Sequence, residues 1–321
     1  MDHAAEPPVD RVPDAVATVR ERTTFVSQLA GVLAVVVPPL GVLSAMGVLW
    51  GVAFRWVDLI VLLVFYVVTG LGITAGWHRL FSHKSYSTSR AMTAFWAIAG
   101  ALAIQGPLTQ WVTDHRKHHA LSDKDGDPHS PHANREPGFV GAFLGFVHAH
   151  VGWLFHTKGM ERGPRYAPDL YADRMIVWID RLYLIWVVLS LGIPFLIGYA
   201  VSGGDVGRGA ECLVWGGLVR VFIWQHVVFS INSICHMFGR KEFRSRDESR
   251  NVWLLAPLSF GESWHNGHHA FPASARHGLN PRQLDLAWLT IRGMEKLGLV
   301  WDVRIPSDEQ LERRRVVPGA A

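Results

Sequence analysis

Four stretches of this sequence are apolar for longer than a water-soluble core requires: residues 25–50, 57–77, 182–201 and 210–235. An α-helix rises 1.5 Å per residue, so about 20 residues cross a hydrocarbon layer of about 30 Å. One such run could be a buried core helix. Four in one chain, with tryptophans at their edges, read as membrane spans. Pro38 and Pro39 should kink the first. The fourth carries Arg220, Gln225, His226 and Asn232, and polar groups inside a span are functional candidates. Two further apolar runs, 91–105 and 138–155, read as buried or interfacial segments rather than crossings. The expected fold is an all-α integral membrane protein with four transmembrane helices.

Charge gives the expected orientation. All but three (Arg55, Arg208 and Arg220) of the 31 Lys and Arg fall in residues 1–23, 78–181 and 236–321. Four spans put these segments on one side, and the positive-inside bias makes that side cytoplasmic. Residues 1–23 read as a polar tail, with no cleavable signal evident, and 302–321 as a C-terminal tail. The domain between them, 24–301, carries a helical cytosolic cap made of 78–181 and 236–301. At 49% hydrophobic and 18% charged residues, the chain is neither disordered nor a coiled coil. Cys212 and Cys235 lie in an apolar run and read as reduced packing residues. The net charge of +4 is not arranged as a stripe, so no nucleic-acid partner is expected.

The chain holds 17 histidines, and three clusters dominate: His78 and His83; His115, His118 and His119; His265, His268 and His269. The last two share the spacing H-x-x-H-H, which puts three imidazoles on one helix face. The first pair is five apart, about 140° on an ideal helix, so it could serve two metals or lie where a helix frays. Eight imidazoles exceed the four ligands of a usual zinc site and suggest two metals. Imidazole suits Fe, Zn, Cu or Ni. The scattered His148, His150, His156, His226 and His277 read as interface residues. Asp114, Asp123, Asp127 and Glu262 stand near the clusters and could orient ligating rings.

The runs HRLFSH, DHRKHHALSDKDGDPH and GESWHNGHHAFP resemble those of the membrane fatty acyl-CoA desaturases of the stearoyl-CoA desaturase type, actinobacterial members included. The resemblance runs from about Gly76 to Gly278, with the same four-span plan. It implies a cap holding two Fe ions, a di-iron centre, on His78, His83, His115, His118, His119, His265, His268 and His269. His236 follows as ninth ligand from an N-S-x-x-H element, with Asn232 reaching the metal through water. No catalytic residue is implied beyond these ligands. Trp111 and Trp153 match aromatics lining the acyl path, and Lys158, with Arg116, Lys117, Arg162 and Arg165, could meet CoA phosphates. Phe81 stands where animal members carry Trp, and Gly267 fills a variable position.

The implied activity is O₂-dependent insertion of a cis double bond, at the delta-9 position, into a long-chain acyl-CoA. O₂ is co-substrate, and electrons come from a separate NAD(P)H-dependent reductase. The implied setting is multi-pass in a bacterial cell membrane, with both termini and the active site cytoplasmic. A di-iron hydroxylase or an acyl-lipid desaturase on the same scaffold is the alternative. A metal-binding or transport protein fits less well, because the clusters lie at one membrane face.

Overall fold

The computed structural model describes residues 55–133, 137–156 and 163–316. The first expected span, the N-terminal tail, Lys158 and Arg162 lie outside the described residues.

Among the described residues, four helices are long and apolar enough to cross a membrane. They are α1 (Trp56–Ser82), α4 (Gly138–Phe155), α6 (Tyr183–Val201) and α7 (Val206–Met237). Three of them coincide with runs read as spans from the sequence. The fourth, α4, is the run expected to be buried or interfacial; by length and composition alone it is long enough to cross. It continues unbroken through His148–Gly152 by loosening into π-helical winding, which gives it the length of a crossing. Its outer face is apolar and exposed at Phe139, Val140, Phe143 and Leu144. Its inner face meets α7, where His150 hydrogen-bonds Ser233 (2.9 Å) and His226 (3.0 Å). His150 and His226 are therefore a matched pair between helices, not scattered interface residues.

The short helices carry the rest. α2 (Arg90–Ala101) and α3 (Leu108–Leu121) follow α1, and α5 (Arg174–Arg181) precedes α6. α8 (His265–Ala270), α9 (Leu286–Lys296) and α10 (Asp308–Arg314) follow α7. Strands β1 (Ser87–Thr88) and β2 (Val300–Trp301) pair antiparallel, with Ser87 opposite Trp301. Residues 302–316, read from the sequence as the start of a tail, fold back: the Arg244 N–H donates to the Arg314 carbonyl (2.7 Å), and Phe243 bridges Arg315.

α1 and α7 run in the same direction, with α6 returning between them. Their first turns are tied by Asp58 and Arg208, both buried, at 3.1 Å. A buried ion pair so far from water holds only when its geometry is good, and it fixes register. α7 also carries Arg220, fully buried, whose guanidinium donates to the Leu102 carbonyl (3.0 Å) and to Ser190 Oγ (2.6 Å). That hub ties the end of α2 to α6 and α7. Cys212 and Cys235 are free thiols, both buried, as the sequence implied.

α1 and α2 touch backbone to backbone. A Cβ on Gly72 would lie 2.4 Å from the Ala99 carbonyl carbon, and one on Gly100 would lie 2.1 Å from Trp77 Nε1. Backbone cannot swing aside as a side chain can. Gly72→Ala should therefore cost roughly 1–3 kcal/mol. The check is the thermal midpoint of the purified protein in detergent; an unchanged midpoint would refute this packing argument.

Candidate metal centre

The last part of α1 explains the first histidine pair. From Gly72 to Ser82 the helix is wound with i→i+5 hydrogen bonds, and the His83 N–H donates to the His78 carbonyl at 3.2 Å. In such winding, residues five apart lie one above the other. The spacing that splays a pair by about 140° on an ordinary helix here brings it together edge to face, with ring centroids 4.9 Å apart. His78 and His83 thus belong to one group, and the expectation that they might serve two metals or sit in a frayed end is corrected.

α3 presents His115, His118 and His119, α8 presents His265, His268 and His269, and the end of α7 presents His236. The nine rings form two groups. His78, His83, His115, His119 and His268 make one; His118, His236, His265 and His269 make the other. Within each, the candidate ligand atoms all lie within 4.8 Å of one another. His268 Nε2 is 3.1 Å from His78 Nε2 and 2.9 Å from His119 Nε2, and His236 Nε2 is 3.1 Å from His265 Nε2. Each H-x-x-H-H cluster is divided between the groups, so α3 and α8 bridge them. The groups touch: His119 stacks on His269 at 4.5 Å.

Four carboxylates set the tautomers. The Nδ1–H of His118 donates to Asp127 (2.9 Å), that of His236 to Asp123 (3.0 Å) and that of His269 to Asp247 (2.7 Å). The Nδ1–H of His78 donates to Glu262. A carboxylate can only accept, so each of these rings keeps its lone pair on Nε2. His118 Nε2 and His269 Nε2 are buried without a hydrogen-bond partner among the described residues. A buried lone pair with nothing to meet is costly. Lone pairs converging in two sets, each ring braced from behind by a carboxylate, fit a pair of metal ions.

The electrostatics agree. Burial, reinforced by neighbouring rings, holds His83, His115, His119, His265 and His268 well below the usual histidine range, so they stay neutral and able to ligate. Burial works to raise the Asp127 carboxyl, but His118 outweighs it and holds the carboxyl at about 2. Asp123, Asp247 and Glu262 are likewise held down against burial, chiefly by His236, His269 and His78 respectively.

Of the acids singled out by sequence, Asp123, Asp127 and Glu262 each meet a ring. Asp114 instead accepts from Gln110 (2.9 Å) and lines a cavity. Sequence reasoning missed Asp247. It sits among Arg244, Arg246, Glu248 and Arg250, a run that looks like any solvated loop. His277, read as an interface residue, is fully buried, 4.4 Å from the His268 ring and 3.4 Å from Glu262. His129 was not singled out either: its ring lies 4.4 Å from His118. Its place two residues after Asp127 was the available signal. Arg79, fully buried, joins Glu262 (3.2 Å) and Asp285 (2.9 Å) behind the group of five.

Two cavities open on the rings. One is lined by Trp111, His115, His129, Trp153 and Asn232, the other by His78, Trp111, His118, His265 and Asn232. They share Trp111, His115, Val228 and Asn232 as a common wall. Trp111 stacks flat on His115 (5.2 Å, 16°), and Trp153 sets its edge on His129 (5.3 Å). Trp111 and Asn232 line both cavities, and Trp153 lines the first. The cationic mouth is different. Arg116 is held by Asp169 (2.7 Å) and by the carbonyls of Phe81, Ser82 and Tyr166, and Lys117 is buried. Neither is free to meet a phosphate.

The family model for fatty acid desaturases matches residues 54–296. The chain belongs to the fatty acid desaturase family. Its relatives include the hex-5-enoyl-[acyl-carrier protein] acetylenase of Moorena producens (strain JHB), 42% identical over 88% of this chain and 87% of that one. The delta-9 acyl-lipid desaturase 1 of Arabidopsis thaliana is 40% identical over 82% and 81%. The acyl-CoA C20 Delta5-desaturase of Anemone leveillei is 35% identical over 79% and 76%. This desaturase is therefore an oxidoreductase of lipid metabolism, built on membrane helices around a histidine-rich site that could hold metal. The acyl carriers named for these three relatives are a carrier protein, a lipid and CoA.

Proposed function

We propose that this desaturase introduces a cis double bond, at the delta-9 position, into a saturated long-chain fatty acyl-CoA, using O₂ and electrons from a separate NAD(P)H-dependent reductase. The observation that carries this reading is the pairing of five and four imidazoles beside two cavities that share Trp111 and Asn232 in their walls. The group of five and the group of four would each hold one iron, with Asn232 reaching a metal through water. Bound there, two irons would supply O₂ activation for the removal of one hydrogen from each of two adjacent methylenes, with two electrons from the reductase and two protons completing the reduction of O₂ to two waters.

The chain's own residues do the orienting. Trp111, flat against His115, makes the corner at which an acyl chain must bend, and so presents one pair of carbons to the metal groups. Trp153 closes the wall beyond His129. The four carboxylates keep the ligating rings in one tautomer through the reaction. The buried aromatic set of Tyr66, Trp224 and Phe260 packs together beneath this space, with Trp224 in the cavity wall. In this reading the protein is multi-pass in a bacterial cell membrane, with the metal groups and both termini at the cytoplasmic face.

A second reading is favoured by one observation. Arg116 and Lys117 are engaged inside the fold, which leaves fewer cations for CoA phosphates and suits an acyl-lipid substrate. Membranes supplied with reductase and O₂ should be offered labelled stearoyl-CoA, stearoyl-carrier protein and stearoyl-phospholipid, with double-bond mapping of the products. The expected product is the oleoyl chain from the CoA ester within the first turnovers. Label appearing first in phospholipid would favour the second reading, and a hydroxy acid would replace desaturation by hydroxylation.

A further inference from the structure

A groove of about 930 Å³ lies away from the acyl path, on the outer side of the third histidine cluster. Arg240 and Arg282 stand exposed at its rim, and Trp253 and Trp264 line its walls. Among the described residues, neither guanidinium has an ion-pair or hydrogen-bond partner. The groove's carboxylate, Glu242, is already taken up by Asn280 (2.7 Å) and by Gln283 (2.9 Å). The groove thus offers two open cations against one carboxylate, a net positive charge.

Its depth follows from the end of the apolar helix beside it. α7 ends at Met237, and Arg240 follows three residues later, within about 10 Å of the span's end even in extended chain. That is the level of the lipid headgroups. Below the groove, the loop after Val252 turns back along the spans. Tyr66 Oη, well inside α1, donates to the Leu258 carbonyl (2.8 Å), and Phe260 packs on Tyr66 and Trp224. The outward face of that loop is apolar and exposed, at Trp253 (74%), Leu254 (66%) and Leu258 (49%), and Phe238 extends it. Cations above an apolar strip, continuous with a spanning helix, match an anion whose tails lie in the bilayer.

We propose that this groove binds an anionic phospholipid, its phosphate between Arg240 and Arg282 and its acyl chains along Trp253, Leu254 and Leu258. Two open guanidiniums against one carboxylate leave the groove net positive, which favours a headgroup of net negative charge over one carrying its own cation. The groove wall also supports the metal centre: the Asn251 side-chain oxygen accepts from the N–H groups of Asn266 (2.9 Å) and Gly267 (3.2 Å), between His265 and His268. Headgroup binding would brace that wall, whichever acyl carrier the enzyme uses.

The test is native mass spectrometry of the full chain extracted from bilayers of equal phosphatidylglycerol and phosphatidylcholine. The expected result is preferential retention of phosphatidylglycerol, which Arg240→Gln/Arg282→Gln weakens about tenfold or more, since each basic residue near a charged surface contributes roughly fivefold. Metal content and thermal midpoint in phosphatidylcholine identify a variant that fails to fold; the single variants Arg240→Gln and Arg282→Gln, each expected to lose roughly fivefold, then carry the test. Equal retention of the two lipids by the unaltered protein would overturn the proposal. So would undiminished phosphatidylglycerol binding in folded variants, or variants that bind lipid normally but need more of the reduced electron carrier. The last outcome would make the groove a docking site for that carrier protein.

Discussion

Turnover in His268→Ala is expected to fall to background while the spans remain inserted. His268 Nε2 lies within 3.1 Å of both His78 Nε2 and His119 Nε2, at the heart of the group of five. Removing it takes away a lone pair and no apolar contact with the bilayer. Losing a residue that merely orients a ligand typically costs 10–100-fold in metal affinity or activity, and losing the ligand should cost more. Bound iron per chain should drop by about half, because the group of four keeps all its rings. Elemental analysis beside product chromatography makes the check. An active variant with its full iron complement would remove His268 from the ligand set.

Asp247→Ala is expected to weaken metal retention about 10–100-fold, although Asp247 is not in any histidine cluster. Its carboxylate accepts from His269 Nδ1 at 2.7 Å, and without it that ring is free to turn and to change tautomer. Asp247→Asn keeps an oxygen that can accept the same hydrogen bond, so it should recover much of the loss. Iron release to a chelator, followed over time, separates the three proteins. Equal release rates from all three would show that Asp247 plays no part in holding the ring.

The histidines and the spans were legible because their signals are local. Three imidazoles at i, i+3 and i+4 share a face whatever the rest of the fold does, and 20 apolar residues declare a crossing by length alone. The π-helical end of α1 was not legible. Nothing in the composition of residues 72–82 distinguishes five-residue winding from ordinary helix, yet it decides which group His78 and His83 join. Asp247 and His277 were hidden for a different reason. Each reaches the site through tertiary packing, 22 residues from His269 for one and against the Glu262–Arg79 pair for the other. The role of His150 was hidden in the same way: it meets Ser233 and His226 on the neighbouring helix α7.

The Asp58–Arg208 bridge has a mechanical consequence. α1 and α7 are bolted together at one end by opposite charges and meet again at the other through α3 and α8, where His78 and His236 are delivered. Two parallel rods fastened at both ends resist sliding past one another. The spacing between the two groups of rings is thereby gauged by a clamp that stands about 30 Å away, across the full thickness of the bilayer's oily interior.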